Sequence, residues 1–184
     1  MRANAAGLGV ETDRIVLEGH SAGGHLSLIA AGTADQPEWE EEGADTSVSS
    51  AVAAVVAFYP PTDLRSGPSA ERLLGPDADL TVAAGASPIT HVHPGFPPTM
   101  LVHGTADAMV PPASSETFHR LLAEAGVATE LHLYADQIHE FDAGATYCAL
   151  TQHAAAVWFD RLLVDPARFD AEQAADNPLW PKPA

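Results

Sequence analysis

The chain has 184 residues, enough for one domain with a hydrophobic core. It carries 25 acidic residues against 8 basic ones, a net charge of −17, and its one lysine is Lys182, which argues against nucleic acid or an anionic membrane as a partner. No apolar run could span a bilayer, Met1 opens no secretory signal pattern, and the lone Cys148 rules out an internal disulfide, so a reducing cytoplasmic setting is expected.

Residues 2–8 are alanine-rich and read as the last turns of a helix that Gly9 stops. Thr12 and Asp13 then turn into Ile15-Val16-Leu17, a short apolar run of the kind found in strands buried on both faces. Gly19-His20-Ser21-Ala22-Gly23 follows at once and fits G-x-S-x-G, and Leu26, Leu28, Ile29, Ala30 and Ala31 continue as a helix. Strand, tight turn and helix form the context in which this pentapeptide is a nucleophile elbow. Gly19 and Gly23 are expected to remove side chains where strand and helix nearly touch. The turn would hold the Ser21 hydroxyl clear of the sheet and aim the free N–H groups of the helix start, that of Ala22 first, at a reacting oxygen.

Residues 35–45 read as a solvated acidic loop around Trp39, since Glu40-Glu41-Glu42 lacks a regular cation-ligand spacing. Residues 52–59 predict a second buried strand, stopped by Pro60-Pro61. Residues 62–98 are rich in Pro, Gly, Ser and Asp and predict a long irregular segment with one short helix at about 70–74. His91 and His93 have a spacing that metal sites use on strands, but no third ligand accompanies them and no metal is expected.

Residues 99–103 predict a third strand, with Gly104-Thr105-Ala106-Asp107 as the turn at its carboxyl end. Ser114 and Ser115 read as N-caps of a helix that buries Phe118, Leu121, Leu122 and Ala125 and ends at Gly126. Residues 129–134 alternate in character and predict an edge or near-edge strand, followed by the loop that holds Asp136 and His139. A long helix over 145–163 is predicted to bury Leu150, Ala154, Val157, Trp158 and Leu162, with Cys148 as a buried spacer. Residues 165–184, with Pro166, Pro181 and Pro183, read as a loosely packed tail behind a domain spanning 1–164.

Strands alternating with helices predict a mostly parallel sheet with helices on both faces, and in such sheets functional groups gather at the carboxyl ends of the strands. Ser21, Asp107 and His139 each follow a predicted strand. A serine hydroxyl needs a base within hydrogen-bond reach, histidine suits that task near neutral pH, and a carboxylate on the far ring nitrogen fixes the tautomer. Asp136 competes with Asp107 for the carboxylate role, but three residues before the histidine it reads as a loop residue. His20, His25 and His103 read as turn or packing residues.

At this point the sequence resembles the α/β-hydrolases, in particular the esterase/lipase branch that includes hormone-sensitive lipase and the feruloyl-esterase-like acetyl esterases. The resemblance is carried by Gly19-His-Ser-Ala-Gly-Gly-His25, Ser87-Pro-Ile-Thr90, Pro97-Pro-Thr-Met-Leu-Val-His-Gly-Thr-Ala-Asp107, Val110-Pro111-Pro112 and His139 followed by Phe141. It implies Ser21 as nucleophile, His139 as general base and acid, Asp107 as its orienting carboxylate, and a small-molecule ester as substrate, with no cofactor. Peptidase or amidase chemistry shares the same elbow and stays open. The family places strands before the nucleophile strand and takes further oxyanion N–H groups from a His-Gly-Gly segment, and this sequence has no such motif. The chain is therefore expected to match the carboxyl-terminal half of the fold, with impaired catalysis and an apolar edge at residues 15–17 through which copies associate. A non-catalytic half-domain or assembly module is the alternative.

Overall fold

A computed structural model describes residues 1–43, 45–65, 67–77 and 79–179. The chain divides into two compact units, Met1–Phe141 and Asp142–Ala184. In the first, a one-turn helix α1 (Ala5–Leu8) ends at Gly9, whose φ of 65° is left-handed, as its place after the alanine run leads one to expect. There follow β1 (Val16–His20), α2 (Ala22–Gly32), β2 (Ala54–Phe58), α3 (Pro68–Leu74), α4 (Leu80–Gly85), β3 (Thr99–Gly104), α5 (Ala113–Glu124) and β4 (Thr129–Tyr134).

The four strands are all parallel and lie in the order β1-β2-β3-β4, so each connection steps across the sheet in the same direction. Parallel crossovers share one hand, and steps in one direction therefore bring their helices to the same face. Leu28 and Ala31 of α2 and Phe118 and Leu122 of α5 indeed meet Val55, Ala57 and Leu101 of the sheet in one buried cluster. The alternate residues Ala54, Val56, Phe58, Met100 and Val102 are equally buried on the other face. Burial of both faces explains why β2 and β3 read as unbroken apolar runs instead of alternating.

Register sets the site. His20 pairs with Phe58, Phe58 with Val102, and Val102 with His132, so the carboxyl ends of the strands line up along one rim. Ser21, Tyr59, Asp107 and His139 all come after that rung in the chain. Among the described residues β1 is an outermost strand, with Val16 and Leu17 half-buried.

Several local expectations are corrected. The helix α5 begins after Pro112, with no side-chain cap, because Ser114 and Ser115 are spent on longer-range bonds. The Ser114 hydroxyl accepts the Thr62 N–H and donates to the Pro60 carbonyl, while Ser115 faces His103. The segment 62–98 is more ordered than its composition suggests: α4 was not predicted, although Asp79 caps it by accepting the Thr81 and Val82 N–H groups. In the second unit α6 (Ala145–Phe159) buries Thr151, Ala155 and Trp158, a stripe turned from the predicted one, so Leu150 and Val157 are exposed and Cys148 is exposed too. The stripe at 151, 155 and 158 keeps helical spacing, but it runs through a threonine and an alanine, which hydropathy alone does not favour. The expected loose tail contains a further helix, α7 (Pro166–Asp176), started by proline and capped by Asp165, which accepts the Arg168 N–H; it has no buried residue.

Phe118 is fully buried in the cluster and meets the Phe96 ring edge-on at 5.8 Å between centroids. Phe118→Ala leaves a cavity between α5 and the sheet and is expected to cost about 3–5 kcal/mol. The check is the shift in urea midpoint, with the slope of the transition unchanged.

Candidate active site

The serine turn is built by a close approach of two backbones. A β-carbon at Gly19 would lie 2.2 Å from the Gly23 carbonyl oxygen, and one at Gly24 would lie 3.0 Å from the Gly19 oxygen. Gly19 and Gly24 are thus the glycines that let β1 and α2 touch; nothing lies within 4 Å of a β-carbon at Gly23, which corrects the expectation for that residue. Between them Ser21 adopts φ 52° and ψ −117°, a conformation that costs a non-glycine residue about 1–3 kcal/mol. Two bonds hold it there: the Ser21 N–H donates to the Phe58 carbonyl at 2.9 Å, and its own carbonyl accepts the His25 N–H at 3.0 Å.

The structure brings Ser21, His139 and Asp107 together. The His139 Nε2 lies 2.9 Å from the Ser21 Oγ, and the Nδ1 lies 2.6 Å from Asp107 Oδ2. With Asp107 ionised, Nδ1 carries the hydrogen and Nε2 is left to accept the serine proton. Asp136 does not take the carboxylate role. It is exposed at a turn with φ 58°, and its N–H donates to the Thr105 hydroxyl.

Asp107 is fixed from both sides. Its Oδ1 accepts the Met109 and Val110 N–H groups, each at 2.9 Å. Burial pushes its carboxyl upward, but the bonds from His139, Val110 and Met109 outweigh that and hold it below the usual carboxylate value. Its loop is joined to the histidine loop: Thr105 N–H donates to the Tyr134 carbonyl and Ala106 N–H to the Gln137 carbonyl. A β-carbon at Gly104 would lie 2.3 Å from that Gln137 oxygen, so this junction also depends on a glycine.

Two residues have a part in the site that the sequence reading did not give them: His103, read there as a turn or packing residue, and Tyr59, read only as the end of a strand. Fully buried His103 accepts the Ser115 hydroxyl at Nδ1 (2.7 Å) and directs Nε2–H toward the Val110 carbonyl (2.9 Å) and Asp107 Oδ2 (3.3 Å). Burial lowers its pKa more than the Val110 carbonyl and Asp107 raise it, so it stands neutral behind the carboxylate as a hydrogen-bond donor. Its place in the His103-Gly104 pair at the end of β3 was the available signal. Tyr59, with a left-handed φ of 40°, lays its buried ring against His139 at 4.6 Å between centroids. No periodicity points to it. The packing reading does hold for His20, stacked on Phe58 at 4.2 Å, and for buried His25, bonded to the Ala86 carbonyl at 2.7 Å.

Ala22 is the first residue of α2, so its N–H has no carbonyl one turn earlier and stands free beside Ser21. Both residues line a cavity of about 290 Å³ with Leu26, Leu64, Met109 and Val110. The His91 ring bonds the Gly85 carbonyl and His93 accepts the Gly95 N–H, so each histidine is engaged in its own loop. Among the described residues no helix is long and apolar enough to cross a membrane.

The BD-FAE family matches residues 1–122. Esterase LipQ of Mycobacterium tuberculosis is 34% identical over an alignment of 160 positions that covers 79% of this chain and 37% of that protein. An acetyl ester-xyloside bifunctional hydrolase from Caldicellulosiruptor lactoaceticus superimposes with a TM-score of 0.77 at 27% identity, covering 89% of this chain and 62% of the other. Butyrate-bound esterase 2 of Thermogutta terrifontis does so with a TM-score of 0.73 at 30% identity, over 89% and 62%. The fold is thus that of the α/β-hydrolases, and the chain spans little more than a third of LipQ.

The depressed carboxyl of Asp107 makes folding stability depend on pH. Its folded pKa lies below the unfolded one, so its contribution is fully present above about pH 4, the ordinary value for aspartate, and is lost as pH falls through the folded value. The difference in unfolding midpoint between the parent chain and Asp107→Asn should therefore shrink as pH is lowered through that window. A difference independent of pH would contradict the assignment.

Proposed function

We propose that this chain, which belongs to the BD-FAE family, hydrolyses short-chain carboxylic esters through an acyl-enzyme formed on Ser21. The observation that carries the reading is the continuous line of hydrogen bonds from Ser21 Oγ through His139 to Asp107, at 2.9 and 2.6 Å. As Ser21 Oγ attacks the ester carbonyl carbon, its proton passes to His139 Nε2 and the carbonyl π electrons move onto oxygen. The Ala22 N–H donates to that oxyanion, and Asp107 stabilises the imidazolium. His139 then gives the proton to the departing alkoxide, and the alcohol leaves. Water attacks the acyl-enzyme with His139 again as base, and the collapse returns the Ser21 hydroxyl and frees the acid.

Fixed geometry supports this direction of proton flow. The carboxylate keeps two amide donors on one oxygen and His139 on the other, so the ring is oriented before substrate arrives. Apolar Leu26, Leu64 and Met109 beside Ser21 suit an aliphatic chain. The similarity to a structure that holds butyrate points the same way.

Hydrolysis of 4-nitrophenyl butyrate by the purified chain tests the reading. Ser21→Ala is expected to abolish it and to block labelling by a fluorophosphonate probe. Asp107→Asn should slow both labelling and turnover by roughly four orders of magnitude without abolishing either, because the ring takes the wrong tautomer. Turnover that survives Ser21→Ala would overturn the mechanism.

A further inference from the structure

The cavity beside Ser21 has two helical walls with the same spacing. From α2 it takes Ala22, His25 and Leu26, and from α3 it takes Ser69, Arg72 and Leu73. Positions i, i+3 and i+4 on each helix present one stripe, so the two stripes bound a slot. Leu26, Leu73 and Met109 are large apolar side chains left exposed, at 63%, 61% and 47%. Lining a cavity with the nucleophile gives that exposure a purpose. Into this apolar slot the chain places one permanent cation.

Arg72 differs from the other arginines. There are seven, the eight basic residues less Lys182. Arg14, Arg65, Arg120 and Arg168 are paired with carboxylates, Arg2 donates to backbone carbonyls, and Arg161 also has a partner. Of the arginine side chains, Arg72 alone has neither a hydrogen-bond nor an ion-pair partner among the described residues. Arg72 is exposed to solvent at the rim of the slot, so its guanidinium is free to meet a ligand of opposite sign without first breaking an ion pair. Asp63, the carboxylate that lines the adjoining cavity, is already taken up by Arg65 at 2.7 Å. The other titratable group of the slot, His25, is bonded to a backbone carbonyl and lowered in pKa by its burial, so it offers no competing charge.

We propose that Arg72 recognises a carboxylate carried by the substrate at the far end of an apolar chain, so that the preferred esters are anionic. The assignment rests on the ester-hydrolase reading of Ser21 and names its substrate class. A planar guanidinium with five donors matches a carboxylate in a two-bond fork, and the apolar side chains beside it suit the chain that carries the carboxylate. The strongly negative surface repels anions in general, so a single unpaired arginine beside the nucleophile would make the slot locally hospitable to one.

The test uses two matched pairs. Methyl hydrogen adipate against methyl hexanoate places the carboxylate on the acyl side; 4-acetoxybenzoate against its methyl ester places it on the alcohol side. For one pair the parent chain should favour the anionic member, and Arg72→Gln should lower the ratio of kcat/KM values, anionic over neutral, about tenfold or more. Arg72→Lys should keep part of the ratio, as a charge without the fork. Ratios for both pairs that are equal in the parent and in Arg72→Gln would overturn the proposal. Binding separates it from the hydrolase reading. Titration of the anionic esters into Ser21→Ala, and into the same variant with Arg72→Gln, reads recognition without turnover. Arg72-dependent binding by a chain that hydrolyses no ester would remove the hydrolase reading and keep the arginine assignment. Hydrolysis of neutral esters with no Arg72-dependent discrimination would do the reverse.

Discussion

The contact between the backbones of β1 and α2 at Gly19, Gly23 and Gly24 is the constraint on which the rest depends. With a β-carbon at Gly19 only 2.2 Å from a carbonyl oxygen, the strand and helix cannot approach, and Ser21 loses the geometry that lifts its hydroxyl off the sheet. The approach also brings the Ser21 N–H to the carbonyl of Phe58, the last residue of the neighbouring strand. The serine is therefore indexed to the sheet by a hydrogen bond as well as by chain connectivity. Strain at φ 52° persists because helix, strand and inter-strand bond determine it together.

The other two members of the relay are indexed to the same sheet by different means. Asp107 sits three residues beyond β3, locked by amides that follow it in its own turn. His139 lies five residues beyond β4, too far for the strand alone to fix it. The crossing of the two loops at Gly104 and Gln137, and the Tyr59 ring behind the imidazole, make up the difference. Buried His103 then closes the space behind Asp107 with a neutral donor, which avoids placing a second charge in a dry site.

What could be read from the residues divides along physical lines. Parallel strands buried on both faces announce themselves as apolar runs, and β1, β2 and β3 were legible for that reason, as was the elbow between β1 and α2. The convergence of Ser21, Asp107 and His139 was legible because all three follow strand ends in one parallel sheet. Assignments that rest on side chains meeting across long sequence distances were not. Ser114 and Ser115 look like caps locally, yet their partners are Pro60, Thr62 and His103. Ser87 reads as loop, yet it is fully buried, accepting the Leu64 N–H and donating to the Ala83 carbonyl, which ties segment 62–98 into a wall. Composition rich in Pro, Gly and Ser describes the absence of long regular elements; it says nothing of such bonds. The choice between Gly23 and Gly24 as the contact glycine was equally closed, since it depends on which residue of the first helical turn faces β1.

The division between parts set by the sheet and parts set by segment 62–98 bears on how such a site can vary. The relay is held by strand register, backbone amides and glycine contacts, none of which involves α3. The slot wall formed by Ser69, Arg72 and Leu73 belongs to a short helix whose residues reach the relay only across the cavity. Substitutions on that wall and in the relay share few direct contacts, and effects at sites without shared partners tend to add. The chemistry of acyl transfer asks for fixed distances near 2.9 and 2.6 Å, whereas recognition of a chain and its end group asks only for complementary surface and charge. On the proposed reading, placing the first on the sheet and the second on an exposed helix lets the wall change what is bound while the atoms of the relay keep their places.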